Sequence, residues 1–211
     1  MLKLYDFELS GNCYKIRLML GFLGVDFTSE HVDFYPGLEH RSSKFLAINP
    51  LGQLPVIDDD GYILRDAQAI LTYLASQYGR PNEWGFGSDA RRNGQIAQWL
   101  GFAGDLTFTV GAARLHDAFF FELDAAAARQ SGRRLLRILD AHLWYQEQAD
   151  EPWIAAGTHP SIADVACFPY TILMEDAGLE RREFPAIRRW HDRFKRIEGF
   201  TVMSGVFPAR S

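Results

Sequence analysis

The pattern of strands and helices changes once along this chain, and that change is the strongest constraint on its fold. Over the first 80 residues, short strand-like runs alternate with helical periodicity, and after residues 79–88 the strand pattern stops. Residues 79–88 are rich in Gly, Pro, Asn and Ser, a composition typical of loops. The sequence therefore predicts an α/β domain over 1–80, a linker over 81–88 and an all-helical domain over 89–211.

The first domain is predicted to run β-α-β-α-β-β-α. Strand signals at 2–7 and 25–32 flank an amphipathic helix that ends at Gly24, and a short helix is expected at 41–47. A helix that joins two strands favours a parallel pair.

A β-hairpin and a helix complete this domain. Two apolar runs within residues 54–66 flank Asp60-Gly61, a dipeptide that favours a tight hairpin turn. A helix over 67–78 follows, ended by Gly79 and Pro81.

The second half shows helical periodicity only. Ser161 and Asp164 have the spacing of a capping box, which predicts a helix start. Trp99, Trp144 and Trp190 fall within helical segments and are predicted to be core residues.

Composition excludes several classes of function. The net charge of −5 gives no overall basic field for nucleic acid or acidic membranes, and no apolar run approaches the roughly 18 residues that span a bilayer. The six histidines show no metal-ligand spacing, so no metal is expected. Two distant cysteines and a first segment unlike a secretory signal favour the cytoplasm.

Four motifs carry a resemblance to a known family: "SGNCYKIRLML", "EHRSSKFLAINPLGQLPVIDDDGYILRDAQAIL", "SIADVACFPY" and "FPAIRRWHDRF". In this order and spacing, the chain resembles a cytosolic glutathione S-transferase. Its first motif is similar to the theta and phi serine classes and to bacterial Nu-like proteins. The resemblance implies a thioredoxin-like domain followed by an all-α domain, a homodimer, a transferase role in detoxification, and glutathione as co-substrate without a metal.

The resemblance also implies a glutathione site. A cis bond before Pro55 would present the Leu54 backbone to the cysteinyl part of glutathione, as an added strand edge does. Gln53 would assist with its side-chain amide. The residues that would meet the two carboxylates and the ammonium group of glutathione are His40, Arg41, Asp66 and Ala67. For Pro55 the alternative is a trans proline opening a strand. For Asp66 it is a plain helix cap, and for His40 and Arg41 solvated loop charges.

Ala67 departs from a common pattern of the family, which has serine at this position. One hydroxyl donor is lost, and a hydrogen bond to a charged group is worth roughly 1.5–3 kcal/mol. Weaker glutathione binding is expected unless Gln68 or water compensates.

Three residues compete as the partner of the glutathione thiol. Ser10 aligns with the catalytic serine of theta and phi enzymes, and Asn12 with the asparagine of the Nu-like pattern. Both lie at the start of the first helix, whose dipole favours a thiolate. Cys13, inside the first turn, is the third candidate, as a site for a mixed disulfide, and Cys167 is expected to be buried.

The second-substrate pocket is predicted from an unusually aromatic stretch over residues 105–123. Phe108, Leu115 and Phe119 are expected to form an apolar floor opposite Ser10, and the alternative is a helical core or dimer contact. Arg114 and His116 are candidates to orient a polar electrophile, although a histidine such as His116 is more commonly structural.

Three functions remain open at this stage. The leading one is a transferase that joins the glutathione sulfur to an apolar electrophile. A glutathione-dependent disulfide reductase, in which Asn12 dominates, is the first alternative. A non-catalytic glutathione-binding or assembly module is the second.

Overall fold

The computed structural model describes residues 1–203, and its first domain is the mixed α/β unit that the sequence predicts. Its elements are β1 (Leu2–Asp6), α1 (Gly11–Leu23), β2 (Phe27–His31), α2 (Ser43–Ile48), β3 (Val56–Asp59), β4 (Tyr62–Arg65) and α3 (Ala67–Tyr78). A short 3₁₀ turn, Glu39–Arg41, precedes α2.

The four strands form one sheet in the order β2-β1-β3-β4. β1 pairs with β2 in parallel, which confirms the crossover through α1, and β3 pairs antiparallel with both β1 and β4. Asp60 and Gly61 turn the predicted hairpin with positive φ angles of 49° and 94°. The sheet and α1 bring residues 7–12 and 54–55 to one end of the domain.

The second domain is helical throughout its described part, as expected. Its helices are α4 (Ala90–Leu106), α5 (Ala112–Phe119), α6 (Ala125–Gln148), α7 (Ile162–Ile172) and α8 (Pro185–Phe194), with a π-helical turn at Thr107–Gly111. The boundaries 1–80, 81–88 and 89–211 stay a prediction, and residues 204–211 of the last range lie outside the described residues.

The predicted capping box opens α7. The Ser161 hydroxyl accepts from the Ala163 amide, while Asp164 accepts from the Ser161 amide. The buried Asp164 carboxylate also accepts from the Ile154 amide and from the indole of Trp190 on α8, both at 3.0 Å. One carboxylate therefore joins the start of α7 to a loop and to α8.

The two domains share one hydrophobic core. α1 and α3 both pack against α7. The Phe22 ring stacks on Trp84 with centroids 5.1 Å apart and meets Phe194 edge-on at 5.4 Å. This shared core fixes the position of α1 relative to α4, α5 and α7.

The prediction for Trp144 is wrong, because this side chain is 47% exposed, whereas Trp99 and Trp190 are buried as expected. On α6 the buried face runs through Leu139 and Leu143. Trp144 is the next residue after Leu143 and so lies about 100° further round the helix, where it faces solvent.

No helix within residues 1–203 has the length and apolar character that crossing a membrane requires. Within the same residues, no group of three or more His, Cys, Asp or Glu side chains is arranged to hold a metal ion.

Candidate active site

A cavity of about 350 Å³ opens between the two domains. The structure brings together on its walls twelve of the residues that the sequence singles out: Ser10, Asn12, His40, Arg41, Gln53, Leu54, Pro55, Asp66, Ala67, Phe108, Leu115 and Phe119. The first nine come from the α/β domain and the last three from the helical domain.

The start of α1 holds a hydroxyl and an amide at the cavity wall. Ser10 is the N-cap of α1, and its Oγ accepts from the Cys13 amide at 3.2 Å. A hydroxyl that accepts in this way keeps its own hydrogen for a further partner. The Asn12 Oδ1 lies 3.4 Å from the Thr107 hydroxyl, whose closer acceptor is the Ala103 carbonyl at 3.0 Å.

Cys13 is the third residue of α1. Its side chain is fully buried in a small apolar cluster that includes Phe7 and Val32, and it does not line the cavity. Burial raises the pKa of its thiol to about 12, with Asp6 adding to the effect. A thiol so protonated and enclosed is a poor nucleophile, which disfavours the mixed-disulfide alternative.

Asp66 and Ala67 form the start of α3. Asp66 has a positive φ of 75°, and its Oδ1 accepts from the amides of Gln68 and Ala69, both at 3.0 Å. Asp66 is therefore the N-cap of α3, which was the alternative considered for it. The cap uses Oδ1 and leaves Oδ2 available for a ligand. Since two of the free N–H groups of α3 are already used, the amide of Ala67 is the donor left at this helix end.

The remaining α/β residues line the adjacent wall. The Leu54-Pro55 bond is cis, as expected, and so is Tyr35-Pro36, which the sequence did not indicate. His40 is buried, and its ring stacks on that of Phe34 with the centroids 4.2 Å apart. Burial, together with the neighbouring Arg41, lowers the pKa of His40, so Arg41 is the cationic member of the predicted pair.

The wall from the helical domain is largely apolar. Phe119 is buried, and its ring centroid lies 6.0 Å from that of Phe7 and 5.7 Å from that of Tyr35. Phe119 therefore links this wall to the α/β domain. Phe108 is 78% exposed and lies at the rim of the cavity. Thus only part of the predicted floor is enclosed.

Arg114 lines the cavity as well, but its guanidinium already has partners within the protein. Its guanidinium is buried, donates to the Leu9 carbonyl at 2.7 Å and pairs with Asp176 at 3.1 Å. Arg114 thus fastens α5 to the residue before Ser10. His116 is exposed, forms a hydrogen bond with the Asp117 carboxylate, and does not line the cavity.

Sequence reasoning missed Tyr170 of α7, which is buried and lines the same cavity. It lies in the apolar run "VACFPY", where helical periodicity alone does not separate a core tyrosine from one at a site. The only available signal was its polar hydroxyl within an otherwise apolar segment.

Comparisons with known proteins agree with this geometry. Residues 4–82 match the family model described as "Glutathione S-transferase, N-terminal domain", and residues 123–193 match "Glutathione S-transferase, C-terminal domain". Maleylacetoacetate isomerase from Pseudomonas aeruginosa is 30% identical over 204 residues, which covers 90% of each chain.

Solved structures are similar over nearly the whole chain. A glutathione S-transferase from Pseudomonas fluorescens superposes with a TM-score of 0.83 at 28% identity, covering 96% of this chain and 98% of that one. Ure2p in complex with glutathione superposes with a TM-score of 0.82 at 25% identity and covers 94% and 95% of the two chains.

The thioredoxin-like sheet, the helical domain and the cavity between them define a two-domain protein with a thioredoxin-like first domain and an all-helical second one. The chain belongs to the glutathione S-transferase family.

Proposed function

We propose that this protein is a glutathione transferase that joins the glutathione sulfur to an apolar electrophile. The observation that carries the proposal is the single cavity with a polar wall from the α/β domain and an aromatic wall from the helical domain. The Ser10 turn lies on that cavity, so a sulfur held there would face both walls.

The polar wall has a partner for each part of glutathione. Under this proposal, the free carboxylate oxygen of Asp66 pairs with the γ-glutamyl ammonium, and the Ala67 amide donates to the neighbouring carboxylate, favoured by the dipole of α3. Arg41, next to the neutral His40, binds the glycine carboxylate. The Leu54 backbone and the Gln53 amide hold the peptide between them.

The thiol is the group that Ser10 stabilises. Because Ser10 Oγ accepts from the Cys13 amide, its hydrogen is free to donate to a sulfur anion at the positive end of α1. The apolar electrophile then lies against Phe119, Leu115 and the rim residue Phe108. Close placement of the two reactants supplies the larger part of the rate enhancement.

Disulfide reduction is the second candidate. One observation favours it: Asn12 lines the cavity, with its Oδ1 3.4 Å from the Thr107 hydroxyl on the facing wall. In this alternative, Asn12 is the main partner of the sulfur, and glutathione disulfide occupies the cavity.

One comparison of activities separates these functions. Conjugation of an aryl halide, reduction of a mixed disulfide and isomerisation of maleylacetoacetate are measured on the wild type and on Asn12→Ala. The isomerase assay is included because a 30% identical relative carries that name. We expect conjugation to dominate and to fall less than threefold in Asn12→Ala.

Two results would contradict this proposal. Dominant disulfide reduction that collapses in Asn12→Ala identifies the reductase. Glutathione binding by calorimetry with no turnover in any assay, and no thiolate absorbance, identifies a non-catalytic binding module.

We also propose that the protein is a cytoplasmic homodimer. β4 is an edge strand, and it exposes Tyr62 and Ile63, which are 50% and 44% accessible. Apolar side chains on an open sheet edge favour a covering partner. Sedimentation velocity should give twice the chain mass, and Ile63→Lys should shift it toward the monomer; a monomeric wild type rejects the dimer.

A further inference from the structure

Lys15 places its amino group in the interior of the protein. The side chain is fully buried on α1, one turn after Gly11, and none of the described residues accepts a hydrogen bond from its Nζ. Burial lowers its pKa to about 8, while Cys167 of α7 and Asp66 at the start of α3 oppose that effect. Since an unpaired buried cation is costly, its presence calls for an explanation.

The aromatic ring next to this amino group is that of Tyr170. The Lys15 Nζ lies 5.2 Å from the ring centroid, within the range of a cation–π contact. Such a contact requires that the ring hold one fixed position.

Two glycines, one from each domain, hold the Tyr170 ring. A Cβ added to Gly11 would lie 2.9 Å from the ring and 3.2 Å from its hydroxyl oxygen, and a Cβ added to Gly111 would lie 2.8 Å from the ring. The hydroxyl is therefore fixed beside the first residue of α1, at the cavity that Ser10 and Asn12 also line.

The environment keeps this hydroxyl protonated. Burial raises the pKa of Tyr170 to about 12, with Cys13 adding to the rise, while Arg114, Thr107 and the Asn12 backbone act in the opposite direction. At neutral pH the group is a hydrogen-bond donor. A positive charge next to the ring draws electron density from the hydroxyl and strengthens its bond to an anion.

We propose that the Tyr170 hydroxyl is a second donor to the glutathione sulfur, beside Ser10, and that Lys15 is a positioning residue whose charge strengthens that bond. The inference rests on the proposed function, because it requires glutathione in the cavity. When the thiolate forms, its proton leaves to solvent and Tyr170 keeps its own.

The test is the ultraviolet absorbance of bound thiolate as a function of pH. In Tyr170→Phe, the pKa of bound glutathione should rise by about one unit, a tenfold loss of thiolate. In Lys15→Met it should rise by about half a unit, and Lys15→Arg should restore part of the loss. Adding Lys15→Met to Tyr170→Phe should have little further effect, because the charge acts through the hydroxyl.

Two controls separate a chemical role from a structural one. Tyr14→Phe removes another buried hydroxyl, which donates to the Thr201 carbonyl at 2.6 Å away from the cavity, and it should leave the thiolate titration unchanged. S-methylglutathione has no thiol proton, so its affinity should be the same for all variants.

If a variant does not fold, the pKa of Lys15 can still be measured in the wild type. Lys15 is one of only four lysines, so its signal can be followed by NMR with labelled lysine. Bound glutathione thiolate should raise the pKa of Lys15, and S-methylglutathione should raise it less.

The outcomes distinguish this inference from the proposed function. If the wild type binds glutathione as a thiolate, but Tyr170→Phe titrates like the wild type or both ligands shift Lys15 equally, the inference is wrong and the transferase proposal stands. If the wild type binds no glutathione, both are wrong.

Discussion

At the residue scale, Ser10 has two uses for one hydroxyl. It caps α1 through its oxygen, and under the proposed function it donates its hydrogen to the glutathione sulfur. We expect Ser10→Ala to lower kcat/KM for conjugation about tenfold or more, because a hydrogen bond to a charged group is worth roughly 1.5–3 kcal/mol.

The matched control for this prediction is Cys13→Ala, which changes a neighbouring residue that does not line the cavity. Its conjugation rate should stay within about threefold of wild type. Since Ser10→Ala also removes a helix cap worth about 1 kcal/mol, both variants should be assayed well below their unfolding temperatures. A larger loss in Cys13→Ala than in Ser10→Ala would reverse the assignment.

Lys15 gives a prediction for stability as a function of pH. Burial lowers the pKa of Lys15 to about 8 in the folded state, below the 10.5 of a lysine in an unfolded chain, so between these pH values the unfolded chain binds the extra proton. Below pH 8 the folded protein bears the full cost of burying the charge. As the pH rises from 8 to 10.5 this cost disappears, and the free energy of unfolding increases by about 3 kcal/mol.

Lys15→Met should therefore be more stable than the wild type at pH 7, and the difference should shrink between pH 8 and 10.5. Urea unfolding at several pH values measures this difference in the free energy of unfolding. The tyrosines titrate in both proteins, so their contribution cancels in the difference. A difference that does not change with pH would mean that the amino group is not buried as a charge.

At the scale of elements, the start of α7 depends on one carboxylate. Asp164 accepts from the amides of Ser161 and Ile154, the hydroxyl of Ser161 and the indole of Trp190. Asp164→Ala leaves these buried donors without an acceptor and should lower the free energy of unfolding by roughly 3–5 kcal/mol.

Ser161→Ala is the corresponding conservative variant and should cost about 1 kcal/mol, the value of a single cap. Equilibrium unfolding in urea, followed by far-ultraviolet circular dichroism, compares the two. Equal losses would show that α7 does not depend on the wider set of contacts.

Elements with local signals were predictable from sequence. The Asp60-Gly61 turn, the bounds of α3 and the capping box of α7 depend on residues a few positions apart, and the structure has each of them. The residues at the cavity were expected from the resemblance to glutathione S-transferases, and the structure has them on the walls of one cavity.

Features that depend on which helix faces meet were not predictable. Lys15 looks like a surface residue in sequence, and its burial follows from the packing of α1 on α7. Tyr170 reaches the cavity because Gly11 and Gly111, 100 positions apart, leave room for its ring. Periodicity identifies an apolar face but not the partner that covers it.

At the scale of the whole molecule, the shared core predicts that the two domains unfold together. All five tryptophans follow residue 80, so their fluorescence reports on the linker and the helical domain, whereas Cys13 reports on the α/β domain. In Cys167→Ala, which leaves Cys13 as the single thiol, fluorescence and Cys13 reactivity should give the same urea midpoint.

A lower midpoint for Cys13 would mean that the α/β domain opens by itself, against the contacts of Phe22 with Trp84 and Phe194. The same two probes on Phe22→Ala provide the comparison. Removing this side chain should lower both midpoints together.

Both cysteines are enclosed, and burial raises the pKa of both thiols. We therefore expect iodoacetamide or mild peroxide to leave both cysteine thiols of the native protein unmodified. Under the proposed function, a cell that exhausts its reduced tripeptide in oxidative stress would leave the protein without its co-substrate but with both thiols intact. Turnover would then resume as soon as the tripeptide pool is restored, with neither cysteine in need of reduction.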